Sequence, residues 1–319
     1  MKLSRIITQL IVSIVACSAC VVHAQAPWTW NLTHTGTYNL NAVVFAAGKF
    51  VAVGAGGGSY GLVLTSPDGI EWTRSFVFGT GEMWDVCYDL DRFVIVGSIG
   101  TAYSLDGGAT WVRSSTERNL RCVTFGGDPG TFVGAGTGAK VSTSTDGLNW
   151  PGYVTIPGPT GSRPFIASAF LGGHFYIIND HGDTYRSADG MSFTPNNFGS
   201  TIWAGGQSGA GIAYGNERFV AVRNNLALVS TNGTNPINDL SGGVYGVGSP
   251  SELRGITFAA GTFVTVGYYG FIASSPTGTS DWTPRPQPWT SRHLQGIAYG
   301  TNGLLVAVGY DEKIIGLCT

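Results

Sequence analysis

The chain has 319 residues, of which 11% are charged and 49 are glycine, and its formal net charge is -2. Charged residues usually make up about 25% of a soluble domain and glycine about 7%, so this chain is rich in turns and poor in charge. A net charge near zero gives no general attraction to nucleic acid or to an anionic lipid surface, and neither is expected as a partner.

The first two dozen residues predict an export signal. A basic start at residues 1–5 precedes a mostly apolar stretch at residues 6–22, and Val22-His23-Ala24 offers the small residues that a signal peptidase recognises. We therefore predict a signal peptide over residues 1–24 and a secreted or periplasmic protein that begins at Gln25.

A lipid anchor is the alternative for the same segment. Residues 14–17 resemble a bacterial lipobox, and processing there would leave a lipid on Cys17 at a membrane surface. No second apolar stretch of the sequence is long enough to span a bilayer.

A six-residue pattern with an anchoring Phe or Leu, followed by small and β-branched residues, recurs seven times. Its copies are KFVAVG (49–54), RFVIVG (92–97), TFVGAG (131–136), HFYIIN (174–179), RFVAVR (218–223), TFVTVG (262–267) and LLVAVG (304–309). The anchors follow one another at intervals of 39 to 44 residues, which is the length of a four-stranded propeller blade. We therefore predict an all-β fold, a seven-bladed β-propeller over residues 25–319, and we expect a monomer.

Each copy is preceded by a second apolar stretch, which we assign to the innermost strand of its blade. These stretches are LNAVVF (40–45), MWDVCY (83–88), LRCVTF (120–125), FIASAF (165–170), GAGIAY (209–214), LRGITF (253–258) and LQGIAY (294–299). A Gly-rich turn and a third strand follow each copy.

The third strand runs into a turn in which Ser is followed two positions later by Asp or Asn, and then by Gly. Four blades carry the acid and one carries Asn; the residues are Asp68, Asp106, Asp146, Asp189 and Asn232. Such a side chain accepts hydrogen bonds from the backbone of its own turn, while Gly supplies the positive φ. Because the acid recurs in four blades, we interpret these aspartates as structural and not as catalytic.

The stretch Ser104-x-Asp106-x-Gly108-x-x-Trp111 resembles the Asp-box of the sialidase and sortilin group, and the other turns resemble shortened versions of it. Over residues 27–319 the chain looks like a BNR-repeat or photosystem-assembly-factor type of propeller. The resemblance implies architecture and leaves function open, since the repeat occurs in enzymes, receptors and assembly factors.

The seventh blade lacks an outer strand at the end of the sequence. Residues 313–319 supply its third strand, whereas Pro27-Trp28-Thr29-Trp30 has the aromatic-Thr character of an outer strand. We therefore predict that the N-terminal strand completes the last blade and closes the ring, which leaves no free edge around the ring.

Candidate binding residues gather on one face of the predicted ring. The links between blades and the turns between second and third strands emerge there, around the mouth of the channel, and the inner strands begin at this mouth with Trp84, Arg121 and Arg254. Arginine matches carboxylates and aromatic faces stack on sugar rings. The neighbouring turns add His181, Tyr268, Tyr269, Tyr310 and Asp311.

Metal and cofactor sites are not predicted. No pair of His residues stands at zinc-ligand spacing, the turn at residues 179–183 lacks the ligand spacing of a calcium loop, and no phosphate loop or G-x-S-x-G motif is present. Cys87 and Cys122 lie on the inner strands of adjacent blades with a parity that does not favour a disulfide, so we predict two free, packed thiols.

Two functions fit the sequence. The first is a secreted binding module that takes a protein or a glycan on its loop face, because the sequence offers no set of acid, base and nucleophile. The second is a carbohydrate-active enzyme, either a sialidase-like hydrolase or a lyase acting on acidic sugars. Sialidases have six blades and a Phe-Arg-Ile-Pro motif, whereas this chain has seven repeats and Ser162-Arg163-Pro164-Phe165.

Overall fold

The computed structural model describes residues 28–114, 119–156, 163–196, 211–223, 226–234, 252–279, 281–285 and 292–318. Within these ranges the chain forms 27 β-strands in seven antiparallel sheets. The predicted signal peptide and Cys17 lie outside the described residues. No helix in the described ranges has the length and apolar character needed to cross a membrane.

Each sheet is one blade, and its strands follow one another from the inside of the ring outwards. Blade 1 contains β2 (Leu40–Ala46), β3 (Lys49–Ala55), β4 (Tyr60–Ser66) and β5 (Thr73–Phe78). Blade 2 contains β6 (Met83–Asp89), β7 (Arg92–Gly97), β8 (Thr101–Ser104) and β9 (Val112–Arg113). Blade 3 contains β10 (Leu120–Gly126), β11 (Thr131–Gly136), β12 (Lys140–Ser144) and β13 (Val154–Thr155). Blade 4 contains β14 (Phe165–Leu171), β15 (His174–Asn179), β16 (Thr184–Ser187) and β17 (Thr194–Asn196).

The remaining blades follow the same order. Blade 5 contains, within the described residues, β18 (Gly211–Gly215), β19 (Arg218–Arg223) and β20 (Leu226–Ser230). Blade 6 contains β21 (Leu253–Ala259), β22 (Thr262–Gly267), β23 (Ile272–Ser275) and β24 (Thr283–Pro284). Blade 7 contains β25 (Leu294–Tyr299), β26 (Leu304–Gly309), β27 (Ile314–Cys318) and β1 (Asn31–His34). Single 3₁₀ turns follow β11, β22 and β26 at Thr137–Ala139, Tyr268–Gly270 and Tyr310–Glu312. The predicted seven-bladed propeller is confirmed.

The hydrophobic core lies between the blades. In all seven second strands, the five residues after the first are buried, because neighbouring blades cover both faces of these strands. One cluster, for example, joins Val51 and Val53 of blade 1 to Phe93 and Ile95 of blade 2. This two-sided burial explains why the repeat is a continuous apolar run with no alternation.

The N-terminal strand closes the ring, as predicted. β1 pairs antiparallel with β27, with Asn31 opposite Gly316 and Leu32 opposite Ile315. The strand begins at Asn31, just after the stretch Pro27-Trp28-Thr29-Trp30 that the sequence pattern indicated. Trp30 is buried and packs against the core of blade 7. Trp28 lies outside the strand, under the guanidinium of Arg285 at 4.5 Å from its ring centre.

Glu312 joins blade 7 to blade 1 at this closure. Its fully buried carboxylate accepts a hydrogen bond at 3.1 Å from the His34 ring and contacts the guanidinium of Arg74 on β5. The backbone N–H groups of Thr37 and Tyr38 also donate to it, each at 3.2 Å. Because these donors come from both sides of the junction, the carboxylate holds the first and last blades together.

A β-bulge interrupts the start of six inner strands. In blade 1, Leu40 pairs with Gly54 and Ala42 with Val53, so Asn41 has no partner in the ladder. The same register shift occurs in five further blades. The extra residues are Asn41, Trp84, Arg121, Ile166, Arg254 and Gln295. We call these six residues the bulge ring.

Candidate functional site

A cavity of about 580 Å³ lies in the centre of the ring, and the inner strand of every blade contributes to its wall. All six members of the bulge ring line it, together with Glu82, Asp85 and Tyr310. Since a bulge redirects the side chain of its extra residue, these six side chains point into the channel while the rest of each strand pairs normally. The bulge ring therefore adds six side chains outside the strand pairing to a wall that also contains paired residues such as Val43 and Ile256.

Arg121 and Trp84 form the first pair of functional groups at the mouth. The guanidinium carbon of Arg121 lies 5.0 Å from the centre of the Trp84 ring, which is a cation–π distance. The Arg121 Nε and the Trp84 Nε1 are both buried and have no hydrogen-bond partner among the described residues. No described carboxylate lies within ion-pair distance of Arg121. Two buried donors without a described partner and a positive charge without a described counter-ion thus lie together in the wall of the cavity.

Arg254 reaches the cavity from blade 6 and, in contrast to Arg121, has a described ion-pair partner. Its Nη2 lies 2.8 Å from a carboxylate oxygen of Glu252 and also contacts the Tyr268 hydroxyl. The guanidinium stacks over the Tyr268 ring at 4.3 Å from the ring centre. Glu252 therefore balances the charge of Arg254, whereas that of Arg121 is not balanced by a described neighbour.

A cluster of aromatic rings lies beside Arg254, between blades 6 and 7. The rings of Tyr268 and His293 are stacked with centres 3.8 Å apart, and Tyr310 meets His293 edge-on at 5.1 Å. Tyr269 also contacts His293 at 5.2 Å, and its side chain is 58% exposed. Tyr269 has a φ of 56°, an unfavourable conformation for a tyrosine, so the turn presents this ring to solvent at a conformational cost.

His293 is neutral at physiological pH. Burial lowers its pKa, and the positive charges of Arg254 and Arg292 lower it further against the opposing effect of Glu252. Its Nδ1 accepts the backbone N–H of Tyr269 at 3.2 Å, so the ring proton is on Nε2. The sequence analysis did not name His293 as a site residue.

Asp85 lines the cavity and was not among the site residues predicted from the sequence. Its two carboxylate oxygens accept the backbone N–H groups of Val86 at 2.8 Å and of Val123, on the neighbouring blade, at 2.9 Å. Burial raises the pKa of Asp85 to about 7 in spite of these hydrogen bonds. A signal existed in the aligned repeats, because the corresponding residues of the other described bulges are small, namely Ala42, Cys122, Ala167, Gly255 and Gly296.

The predicted site residues divide into three groups. Trp84, Arg121, Arg254 and Tyr310 line one cavity, and Tyr268 and Tyr269 adjoin it through the aromatic cluster. Asp311 lies outside the lining and pairs with Arg292 at 2.5 Å. His181 belongs to a turn of blade 4, where its backbone N–H donates to the Asn179 Oδ1 at 3.0 Å, and it does not line the cavity.

The Ser-Asp turns lie on the opposite face. In blade 3 the Asp146 Oδ1 accepts the N–H groups of Leu148 and Asn149, each at 2.8 Å, and the Ser144 hydroxyl at 2.9 Å. The same arrangement occurs at the other predicted aspartates, Asp68, Asp106 and Asp189. Partial burial alone would raise the pKa of Asp146, but these donors lower it to about 2.

The two cysteines of the inner strands are free. Cys87 packs within the cluster between blades 2 and 3, and the buried Cys122 directs its Sγ towards the carbonyl of Ala135 at 3.6 Å. Burial raises the pKa of both thiols, and the nearby Asp85 raises them further. The prediction of packed thiols is confirmed for this pair.

Comparisons with known proteins find similar structures only. No model of a protein family matches the sequence, and no curated sequence matches it either. Among solved structures, YCF48 from Cyanidioschyzon merolae is 16% identical with a TM-score of 0.66, over 91% of this chain and 98% of that one. A streptogramin B lyase is 11% identical with a TM-score of 0.72, over 91% of this chain and 97% of that one. A structure of YCF48 bound to D1 peptide is 14% identical with a TM-score of 0.62, over 92% and 98%. At such identities the likeness shows a shared propeller fold.

Proposed function

We propose that this chain is a binding module, and that it takes a carboxylate-bearing group of a protein partner at the mouth of its channel. The observation that carries this proposal is Arg121, a cation stacked on Trp84, whose own buried Nε and the buried Nε1 of Trp84 have no hydrogen-bond partner among the described residues. A carboxylate fits both donors and the charge. YCF48 with its D1 peptide provides a precedent for peptide binding by a propeller of this fold.

Export is part of the proposal. The predicted signal peptide at residues 1–24 would place the propeller, residues 25–319, outside the cytoplasm, either free or anchored through Cys17. The repeated Ser-Asp turns would serve there as structural Asp-box turns on the face away from the ligand. Expression of the full chain, followed by mass spectrometry of the mature N-terminus, distinguishes Gln25 from a lipid-bearing Cys17.

The test of binding uses the secreted chain and peptide arrays that present free or amidated C-termini and internal Asp or Glu. We expect binding to depend on a carboxylate and to weaken at least about tenfold in Arg121→Ala, since hydrogen bonds to charged groups contribute about 1.5–3 kcal/mol. Arg218→Ala is the matched control, because Arg218 lies on the opposite face and reaches the Thr277 carbonyl. Equal binding by the parent and Arg121→Ala would contradict the proposal.

A carbohydrate-active enzyme is the second candidate. The aromatic cluster beside Arg254 favours it, because stacked rings next to an arginine suit an acidic sugar. Turnover of sialylated or uronate-containing oligosaccharides, lost in Tyr310→Phe or Arg254→Ala, would support this function. Glycan binding without turnover would instead indicate a binding module whose ligand is a sugar.

A further inference from the structure

Blade 1 carries a continuous strip of aromatic rings on its outer side. The strip consists of Tyr38, Tyr60, Phe76 and Phe78, and neighbouring ring centres lie 5.2 to 6.4 Å apart. Tyr60, Phe76 and Phe78 are 45%, 47% and 67% exposed. Exposed apolar groups scattered singly are normal, but rings in mutual contact form a patch of the kind that marks an interface.

The outer strand that carries this strip is longer than the other outer strands in the described part of the chain. β5 has six residues, whereas β1 has four, β17 three, and β9, β13 and β24 two each. β5 is the last strand of its sheet, so its outer backbone groups have no strand beside them in the described part of the chain. A long edge with an apolar face is a surface on which a further strand can pair.

The features that normally protect such an edge are absent from β5. Proline stands in β17 at Pro195 and in β24 at Pro284, and β9 consists of only Val112 and Arg113. β5, with the sequence TRSFVF, has no proline, and its one charged side chain is Arg74. That guanidinium is directed at the buried carboxylate of Glu312. It therefore serves the ring closure and does not keep other strands away.

We propose that β5 pairs with β5 of a second copy of this chain, antiparallel across a twofold axis centred on Phe76. In that register Phe76 faces its own symmetry mate and Arg74 faces Phe78. Residues directly opposite in an antiparallel pair project from the same side of the sheet, and Arg74, Phe76 and Phe78 share one side because they alternate along the strand.

Charge selects this register and this occupant. A pairing centred on Arg74 would place two guanidinium groups opposite each other, whereas the Phe76 register places each Arg74 opposite a Phe78 and brings no like charges together. β5 carries no acidic residue that would require a basic partner. The strand is therefore complementary to itself, and the proposed dimer is an alternative to the monomer expected from the sequence.

The dimer should be weak. Aromatic side chains bury about 150–250 Å² each when fully covered, and the three exposed rings are about half covered already, so two copies would bury about 450–750 Å² of ring surface, less than the about 1,200 Å² at the lower end for a stable specific interface. We expect a dissociation constant in the micromolar range. The mouth of the channel lies in the centre of the ring and stays open.

Register-specific cross-linking is the sharpest test. Opposite residues of an antiparallel pair have Cα atoms about 4.5–5.5 Å apart, within the range of about 4.4–6.8 Å that a disulfide bridges. Phe76→Cys should form a covalent dimer under diamide, because the two copies of this residue lie opposite each other. Phe78→Cys should remain monomeric on a denaturing gel, because Phe78 lies opposite Arg74 and the two copies of residue 78 are four positions apart along the strand. Cross-linking of both variants to the same extent would overturn the proposed register.

The association itself is measured by light scattering after gel filtration at protein concentrations up to about 100 μM. We expect the parent to dimerise and Phe76→Lys to lower the dimer affinity at least tenfold. Met191→Lys is the control, because Met191 is 52% exposed in another blade. A parent that is monomeric throughout, or a dimer unaffected by Phe76→Lys, would contradict the proposal. Phe76→Lys should retain Arg121-dependent peptide binding, so this inference and the proposed function can fail separately.

Discussion

Asp146 and Asp85 carry the same side chain on opposite faces of the ring, yet their surroundings shift their pKa values in opposite directions. Asp146 lies in a turn whose backbone and side-chain donors stabilise its charged form and lower its pKa to about 2 despite partial burial. Asp85 lies in the wall of the channel, where burial raises its pKa to about 7. Neighbouring donors outweigh burial in the first case, and burial outweighs them in the second.

The contrast distinguishes scaffold from site. At the Ser-Asp turns the Oδ1 atom of each aspartate accepts its hydrogen bonds from donors within a few residues of chain, as a turn-stabilising side chain does. At the mouth, buried donors of Arg121 and Trp84 have no described partner, and a carboxyl group beside them is close to losing its proton. Perturbed groups that gather in a cavity indicate function more strongly than satisfied ones.

Glu312 combines both conditions, because it is fully buried and fully satisfied. Glu312→Ala should lower the free energy of unfolding by about 3–5 kcal/mol, since it leaves Arg74 and the blade junction without their acceptor. Urea unfolding monitored by tryptophan fluorescence measures the loss. Glu312→Gln, which keeps one acceptor oxygen, should lose less. A midpoint within error of the parent for Glu312→Ala would show that the closure does not depend on this residue.

Asp85 should make the protein less stable as the pH rises. The folded state keeps the proton up to about pH 7, whereas the unfolded state releases it near pH 3.9. Between these values the folded state binds more protons, so the free energy of unfolding falls with rising pH and levels off above about pH 7. We expect a fall of about 2 kcal/mol after allowance for the solvated channel.

Asp85→Asn is the variant that isolates this effect. It cannot ionise, so its stability profile between about pH 4 and pH 7 should be flatter than that of the parent by the same amount. Cys87 and Cys122 lie close by but keep their protons throughout this window, because burial and Asp85 raise their pKa values. Parallel profiles for parent and variant would mean that Asp85 ionises normally.

Asp146 should show the opposite pH dependence on a smaller scale. Its folded pKa is depressed to about 2, so its stabilisation is present above the unfolded value near 3.9 and is lost as the pH falls towards 2. Asp146→Ala should cost about 1 kcal/mol at neutral pH, a value reduced for exposure, while Asp146→Asn should cost less, as blade 5 already uses Asn232 in the same turn. Loss of peptide binding at unchanged stability in Asp146→Ala would place the turn in the site.

Arg121→Ala should have the smallest effect on stability. No described carboxylate pairs with Arg121, so its removal should change the free energy of unfolding by less than about 0.5 kcal/mol. Differential scanning calorimetry of this variant beside Arg218→Ala measures the difference. A strongly destabilised Arg121→Ala would assign the residue to the scaffold and weaken the proposed function.

The repeats predicted the blade number, the strands and the ring closure because each of these follows from local pattern. The positions of Trp84, Arg121 and Arg254 at the mouth followed as well, since they occupy the same place in their repeats. The bulge that turns these side chains into the channel was not predicted, because it depends on pairing with a second strand. Asp85 was missed for the same reason, as its effect arises from burial against the neighbouring blade.

Arg223 shows a further limit of the pattern. Five of the seven six-residue repeats end in Gly; in blade 1, for example, a Cβ on Gly54 would lie 1.9 Å from the carbonyl oxygen of Asn39. Blade 5 has Arg223 at this place, and its fully buried guanidinium contacts the Asp180 carbonyl of blade 4. The sequence reveals the substitution, but the contact between blades that accommodates it depends on tertiary structure.

Because each residue of the bulge ring stands outside the hydrogen-bonded ladder, strand pairing does not depend on its identity. Exchanges at these six positions should therefore change contacts inside the channel, such as the ion pair of Arg254 with Glu252, and leave the register of the strands in place. Evolution can rewrite the specificity of such a channel without refolding it. A designer can do the same by randomising Asn41, Trp84, Arg121, Ile166, Arg254 and Gln295 as one library.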